Sequence, residues 1–210
     1  MSRKPLSAGF TIVELMIATT VLSVILLLTT IMMTRIGSLY YKGITESRIQ
    51  DDVRTIVDDV TQHLQLTDVP PTHIAGTGAG AQTDEYCIGT TRYTLVQDVQ
   101  SGSASNQSTH VLWRDSIAAG TCPAIANGAL TNLVGQLNGG SSGTELISAH
   151  SRLSYFNIAG SSPYSLEVYV AYGDDDLFRG SGQNRLCSGT SGDQFCATAN
   201  LSTTVVRRLR

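Results

Sequence analysis

The chain has 210 residues, room for one ordinary domain plus an anchor, and a net charge of -3 at pH 7. Basic residues do not cluster along its body, which argues against a nucleic-acid groove, and the Arg207-Arg208-Leu209-Arg210 tail reads as a solvated chain end. Twenty Gly, with many Ser, Thr and Asn, point away from a helical bundle and toward turn-rich β structure.

A short basic leader, Arg3-Lys4-Pro5, stands ahead of Gly9-Phe10-Thr11-Ile12-Val13-Glu14. Residues 15–34 then carry no charge and no Pro. As a helix, twenty residues at about 1.5 Å each span roughly 30 Å, the thickness of a bilayer's hydrocarbon layer. In a secretory signal peptide the basic patch and the apolar stretch both precede the cleavage site. Here the plausible cut lies between them, so cleavage leaves the greasy helix on the mature chain. A plain signal anchor, with its leader held inside by its basic residues, is the competing reading. It leaves Glu14 unexplained, since a carboxylate at membrane depth costs about 2.5–3.5 kcal/mol.

The order leader, Gly9, Phe10, Glu14, apolar run resembles the type IV prepilins and type II secretion pseudopilins over residues 3–34. The resemblance implies that prepilin peptidase removes residues 1–9, cutting between Gly9 and Phe10, and N-methylates Phe10. It implies a transmembrane and filament-core helix over residues 10–34. It also gives Glu14 a role as an assembly contact, pairing with the terminal amine of a neighbouring subunit. The helix N-terminus adds only about 0.3–1 kcal/mol toward holding that carboxylate charged. A buried charge that sets register is the best-attested use of such a group.

Residues 35–66 change from uniformly apolar to amphipathic. Ile49, Val53, Ile56, Val57, Val60 and Leu64 form one stripe at helical spacing, with Gln50, Asp51, Arg54, Asp58, Asp59 and Gln62 opposite. Gly37 and Gly43 each weaken a helix by about 1 kcal/mol and read as a soft point between membrane half and packed half. Pro70-Pro71 ends the helix near Leu66 or Thr67.

Residues 67–210 read as a β-rich domain. Strands are expected within 86–99, 109–114, 145–158, 165–172 and 201–209. Residues 74–83 and 101–108 read as loops, and 115–143 are ambiguous around a weak helical stretch at 130–137. The economical arrangement is α+β: a single meandering antiparallel sheet laid on the amphipathic half-helix, a plan that pilin-like domains share.

Cys87, Cys122, Cys187 and Cys196 are an even set beyond an export signal, which favours disulfides over thiols. Three connectivities are possible, and sequential pairing closes the smallest loops. Zinc is the competitor, but no C-x-x-C spacing occurs. Asp174, Asp175 and Asp176, followed by Asn184 and Asp193, are a weak calcium candidate without the alternation of an EF-hand loop. His63, His73, His110 and His150 are scattered, and no H-E-x-x-H, G-x-S-x-G or phosphate loop is present, so no catalytic residue and no cofactor is expected.

The resemblance implies a minor structural subunit that initiates or caps a type IV pilus or related filament, most like minor pilins of the PilW type or J-type pseudopilins. Major pilins tend to be shorter and to carry a Pro midway along the apolar helix, where this chain has Ile31. Implied partners are prepilin peptidase, other major and minor pilin-like subunits, the inner-membrane assembly platform and the membrane. The implied location is the inner membrane with a periplasmic domain, then the filament, at its tip. A minor pseudopilin of a secretion system is the alternative. From a different class comes an anchored surface-binding protein that never polymerises.

Overall fold

The computed structural model describes residues 9–75, 83–102, 110–118, 120–122, 143–189 and 192–208. One helix, α1, runs unbroken over Ile12–Leu66. The chain forms two compact units, the first ending at Tyr41 and the second running from Lys42.

In the first unit the helix is exposed along its length apart from half-buried Gly37. Its apolar stretch is long and apolar enough to cross a membrane, and none of it is buried within the protein. Hydroxyl side chains interrupt that stretch, yet each bonds back to its own helix. Thr19 donates to the Met16 carbonyl, Thr20 to Ile17, Ser23 to Thr20, Thr29 and Thr30 to Leu26, and Thr34 to Ile31. Such back-bonding satisfies polar groups where no water is available to do so.

In the second unit the amphipathic stripe is buried as its spacing predicts: Ile49, Val53, Ile56, Val57, Val60 and Leu64 are at most 4% exposed. Burial starts at Thr45, ten residues later than the change in sequence pattern at Arg35, and Ile36, Leu39, Tyr40 and Tyr41 stay exposed. Gly37 and Gly43 lie within the continuous helix and mark no break in it.

Ten strands follow among the described residues: β1 (Thr72–Ile74), β2 (Thr83–Ile88), β3 (Thr91–Val96), β4 (Leu112–Ser116), β5 (Thr144–Glu145), β6 (Ser151–Gly160), β7 (Tyr164–Tyr172), β8 (Phe178–Arg179), β9 (Leu186–Cys187) and β10 (Ala197–Val205). All described pairings are antiparallel. They make a five-stranded meander β1-β2-β3-β4-β5, a three-stranded sheet β10-β7-β6 and a two-stranded ribbon β8-β9. The expected single sheet is therefore two main sheets.

The division falls after β3. The chain leaves β4 there and bonds instead to β6, with Asp98 N–H donating to Leu153 O, Ser101 N–H to Ser151 O, and an isolated bridge joining Gln100 to Arg152. The closing strand starts at Ala197, before the expected Leu201, because Tyr172 and Ala197 pair at the far end of β7. Part of the expected 74–83 loop is β1 and the start of β2, and its residues 76–82 lie outside the described residues, as does the stretch at 130–137.

One core joins the helix stripe to both main sheets. Tyr86, Ile88, Tyr93, Leu95 and Leu112 come from the meander, and Leu153, Phe156, Leu166, Val168, Val170 and Val205 from the three-stranded sheet. From Tyr164 to Val170, β7 alternates as a sheet with one core face does, burying Tyr164, Leu166, Val168 and Val170, and Ala171 beyond them is buried as well. The β2–β3 turn needs glycine twice over. Gly89 adopts φ +62°, and a Cβ there would meet Thr67 Oγ1 at 2.8 Å, where the chain leaves the helix.

Candidate functional site

The start of α1 is built by two residues of the motif. Gly9 and Phe10 precede the helix, with the Phe10 side chain 79% exposed. The backbone N–H of Thr11 donates to Glu14 Oε2 at 2.9 Å, and its hydroxyl donates to the same oxygen at 2.8 Å. In return, the Glu14 N–H donates to Thr11 Oγ1 at 3.2 Å. This is a capping box, with Thr11 as N-cap and Glu14 at the third helical position, so two orphan donors of the first turn are satisfied. Sequence reasoning assigned Glu14 an assembly contact and missed its local partner. The signal was there in Thr-Ile-Val-Glu, the S/T-x-x-E pattern just before an apolar run. Both bonds fall on Oε2, and among the described residues Oε1 accepts none.

The cysteines sit at the other end of the sequence argument. Cys87 is bonded to Cys122, with Cα atoms 5.9 Å apart, and Cys187 to Cys196, with Cα atoms 5.8 Å apart. The second bridge closes a short turn that Lys42 holds from the helix: its ammonium donates to the carbonyls of Cys196 and Asp193 and lies 3.3 Å from Asp193 Oδ2. Cys187, Asp193 and Cys196 bring potential metal ligands together, but the two sulfurs are bonded to each other.

The acidic triplet divides its work. Asp174 accepts from Gln100 Nε2 at 3.1 Å, and Asp175 pairs with Arg152, whose side chain is only 2% exposed. Asp176 is exposed. Asp193 is engaged by Lys42 instead. The carboxylates thus act as clasps on neighbouring segments. Asp175 neutralises a guanidinium that would otherwise be buried alone, a costly state.

Residues 4–30 match the family model described as the prokaryotic N-terminal methylation motif. The chain carries a type IV prepilin-like N-terminus. Neither the curated proteins nor the solved structures gave a match to it. The motif implies processing by prepilin peptidase and pilin-like assembly partners, and with the apolar helix it supports anchoring in a membrane. The prepilin-like motif ends at residue 30, so everything from the packed half-helix onward rests on the fold alone.

Behind that prepilin-like end, a half-buried polar network fixes the packed half-helix to the meander. Asp59 accepts from the Tyr93 hydroxyl at 2.7 Å and pairs with the Arg114 guanidinium. His63, one turn on, lies 2.8 Å from the same hydroxyl through Nδ1. Burial, then the Asp59 hydrogen bond, push the Tyr93 phenol far above its ordinary value, so it stays a donor at any physiological pH. On β5, burial raises the Glu145 carboxyl, while the N–H groups of Val111 and Leu112 and the His110 ring partly offset it by bonding the charged form. These residues were invisible as a set, because their partners are 30 to 55 positions apart.

Proposed function

We propose that this protein is a minor, pilin-like structural subunit that initiates or caps a type IV pilus or a related filament. Prepilin peptidase removes residues 1–9, and the mature chain begins at N-methylated Phe10. Residues 10–34 anchor it in the inner membrane with the domain of residues 67–210 in the periplasm, and later lie among the helices of partner subunits at the filament tip. The observation that carries this reading is the methylation motif running directly into a wholly exposed apolar helix. An apolar helical stretch that none of the described residues buries, with its hydroxyls internally bonded, suits a lipid layer first and other helices afterwards.

The role is structural rather than catalytic. Its support is where the charged side chains go: Asp59, Arg114, Arg152, Asp175 and Lys42 hold elements of the lobe together. The decisive experiment is the intact mass of the protein from a host with prepilin peptidase. A mass matching residues 10–210 plus one methyl group supports the reading. A chain beginning at Met1 or Ser2 overturns it and leaves a plain anchor.

A further inference from the structure

Sheet edges expose unpaired N–H and C=O groups, and folded proteins guard them with short strands, bulges, charges or Pro. The described edges of this protein are guarded in those ways, with one exception. The meander ends in β1 and β5, of three and two residues, and the β8–β9 ribbon has two residues in each strand. On the three-stranded sheet, the β6 edge carries Arg152 and a register shift after Leu153, and Asp98 and Ser101 bond to it. The other edge of that sheet is β10. It runs nine residues, Ala197–Val205, in an unshifted register with β7, and holds no charge, no Pro and no Gly. Among the described residues, no backbone group bonds to its open side.

Burial also stops short at this edge. On β7, Leu166, Val168 and Val170 are at most 1% exposed. Their partners on β10 are Thr203, Leu201 and Ala199. None of those three is fully buried, and Leu201, in register with wholly buried Val168, is 36% exposed. A leucine on the core side with one flank open is where a further strand would bury apolar surface. Thr198, Asn200, Ser202 and Thr204 belong to the opposite face and are exposed.

The strand's own sequence selects its occupant. A two-fold axis at Leu201 pairs β10 antiparallel with a second copy over all nine residues. On the core side Leu201 meets Leu201, Ala199 meets Thr203 and Ala197 meets Val205. On the outer side Asn200 meets Ser202 and Thr198 meets Thr204, pairs of the kind that hydrogen-bond across strands. Odd positions meet odd ones, so both core faces stay on one side of the joined sheet. No like charges are opposed, and the charges flanking the strand are engaged within the chain, Asp193 by Lys42 and Arg207 by the Asp68 carbonyl. The edge offers no charge that would select a charged segment of another protein. We propose that β10 is a dimerisation edge, which joins a second copy of this chain into one six-stranded sheet, β6-β7-β10-β10-β7-β6.

The test uses the full chain in phosphocholine detergent, with micelles in excess over protein. Sedimentation equilibrium from about 1 µM to about 1 mM should show a reversible dimer, weakened about tenfold or more by Leu201→Lys and by Ser202→Lys. Ser202 is exposed, so its variant should melt with the parent at micromolar concentration. Alternate amides of β10 should exchange fast in the dilute chain and slowly in the dimer. Air oxidation should join Leu201→Cys to its own copy. It should not join Thr204→Cys, whose two copies would stand about 20 Å apart along the strand pair. Four results overturn the proposal. They are a monomer at every concentration; a dimer that neither lysine variant weakens, which places association on the apolar helix or another surface; Leu201→Cys cross-linking no better than Thr204→Cys; and slow exchange along both sides of β10 in the dilute chain, which means that the chain covers its own edge. None of these depends on whether Gly9–Phe10 is cleaved.

Discussion

The ammonium of Lys42 donates a 2.8 Å hydrogen bond to the carbonyl oxygen of Cys196, at the close of the short disulfide turn. The same group bonds the Asp193 carbonyl at 3.1 Å, so it holds both ends of the 3-10 turn Asp193–Phe195. Thr45, one turn along the helix, reaches Gln194 O between them. The first turn of the helix in the lobe is thus pinned to the residues that lead into β10. Burial of the helix starts at this latch and not at the change of sequence pattern.

Replacing Lys42 by Met keeps the aliphatic stem and removes the bonds. The loss should be about 1–2 kcal/mol, the scale of a hydrogen bond from a charged donor with some exposure. Each kcal/mol is worth about 2–4 °C in a domain of this size. Thermal unfolding checks the magnitude. Hydrogen exchange at residues 196–199 checks the place, and uniform loss of protection across both sheets would count against a local latch.

The bridge behind that latch makes its own prediction. Removing both Cys187 and Cys196 by Ser substitution should cost just under 3 kcal/mol by the chain-entropy model for a loop of about ten residues. Non-reducing peptide mapping of the exported chain should show Cys87 linked to Cys122 and Cys187 to Cys196. Crossed links or free thiols would refute both the pairing and the magnitude.

Tyr93→Phe isolates the helix-to-meander network. The ring stays buried, but Asp59 loses the hydroxyl that donates to it, while Arg114 remains. A partly unsatisfied carboxylate at the helix should cost about 1–2 kcal/mol. Chemical denaturation of both proteins measures it, and a difference near zero would show that water replaces the hydroxyl.

Glu145 gives a pH dependence. Its carboxyl is raised in the folded chain, burial being the leading cause. Just above the ordinary glutamate value of 4.5 the folded chain therefore holds a proton that the unfolded chain has released. Its contribution is fully present below that value and is lost as pH rises through the folded one. Glu145→Gln keeps an acceptor for the Leu112 N–H and removes the buried charge. The variant's melting temperature relative to the parent should be most favourable near neutral pH, and that advantage should shrink as pH falls toward 4.5. An advantage that grows on acidification would reverse the assignment.

Local periodicity made the helix legible, because the stripe from Ile49 to Leu64 needs only its own spacing to declare itself. Strand content was legible where alternation was long, as in β7, and obscure where strands have two or three residues, as in β1, β8 and β9. The division into two sheets was not legible. It depends on where Asp98 and Ser101 send their N–H groups, and both send them to partners about 50 residues ahead. The capping box was legible and overlooked, since the apolar run beside it suggested a membrane role for Glu14 before a local one.

Glu14 now has two candidate duties that one pair of variants can separate. In the capping box the side chain needs only an acceptor, which Gln supplies as well as Glu. In the proposed assembly contact it needs charge, which Gln lacks. Both Glu14→Gln and Glu14→Ala should insert into membranes at least as well as the parent, since each removes a carboxylate that costs about 2.5–3.5 kcal/mol at depth. If charge is the assembly signal, both should fall in the sheared-filament fraction, Gln nearly as far as Ala. The measurement is the membrane fraction against the filament fraction for the three proteins, with the major subunit as internal reference. Normal incorporation of the Gln form alongside failure of the Ala form would reassign Glu14 to capping and leave the filament without this charge pair.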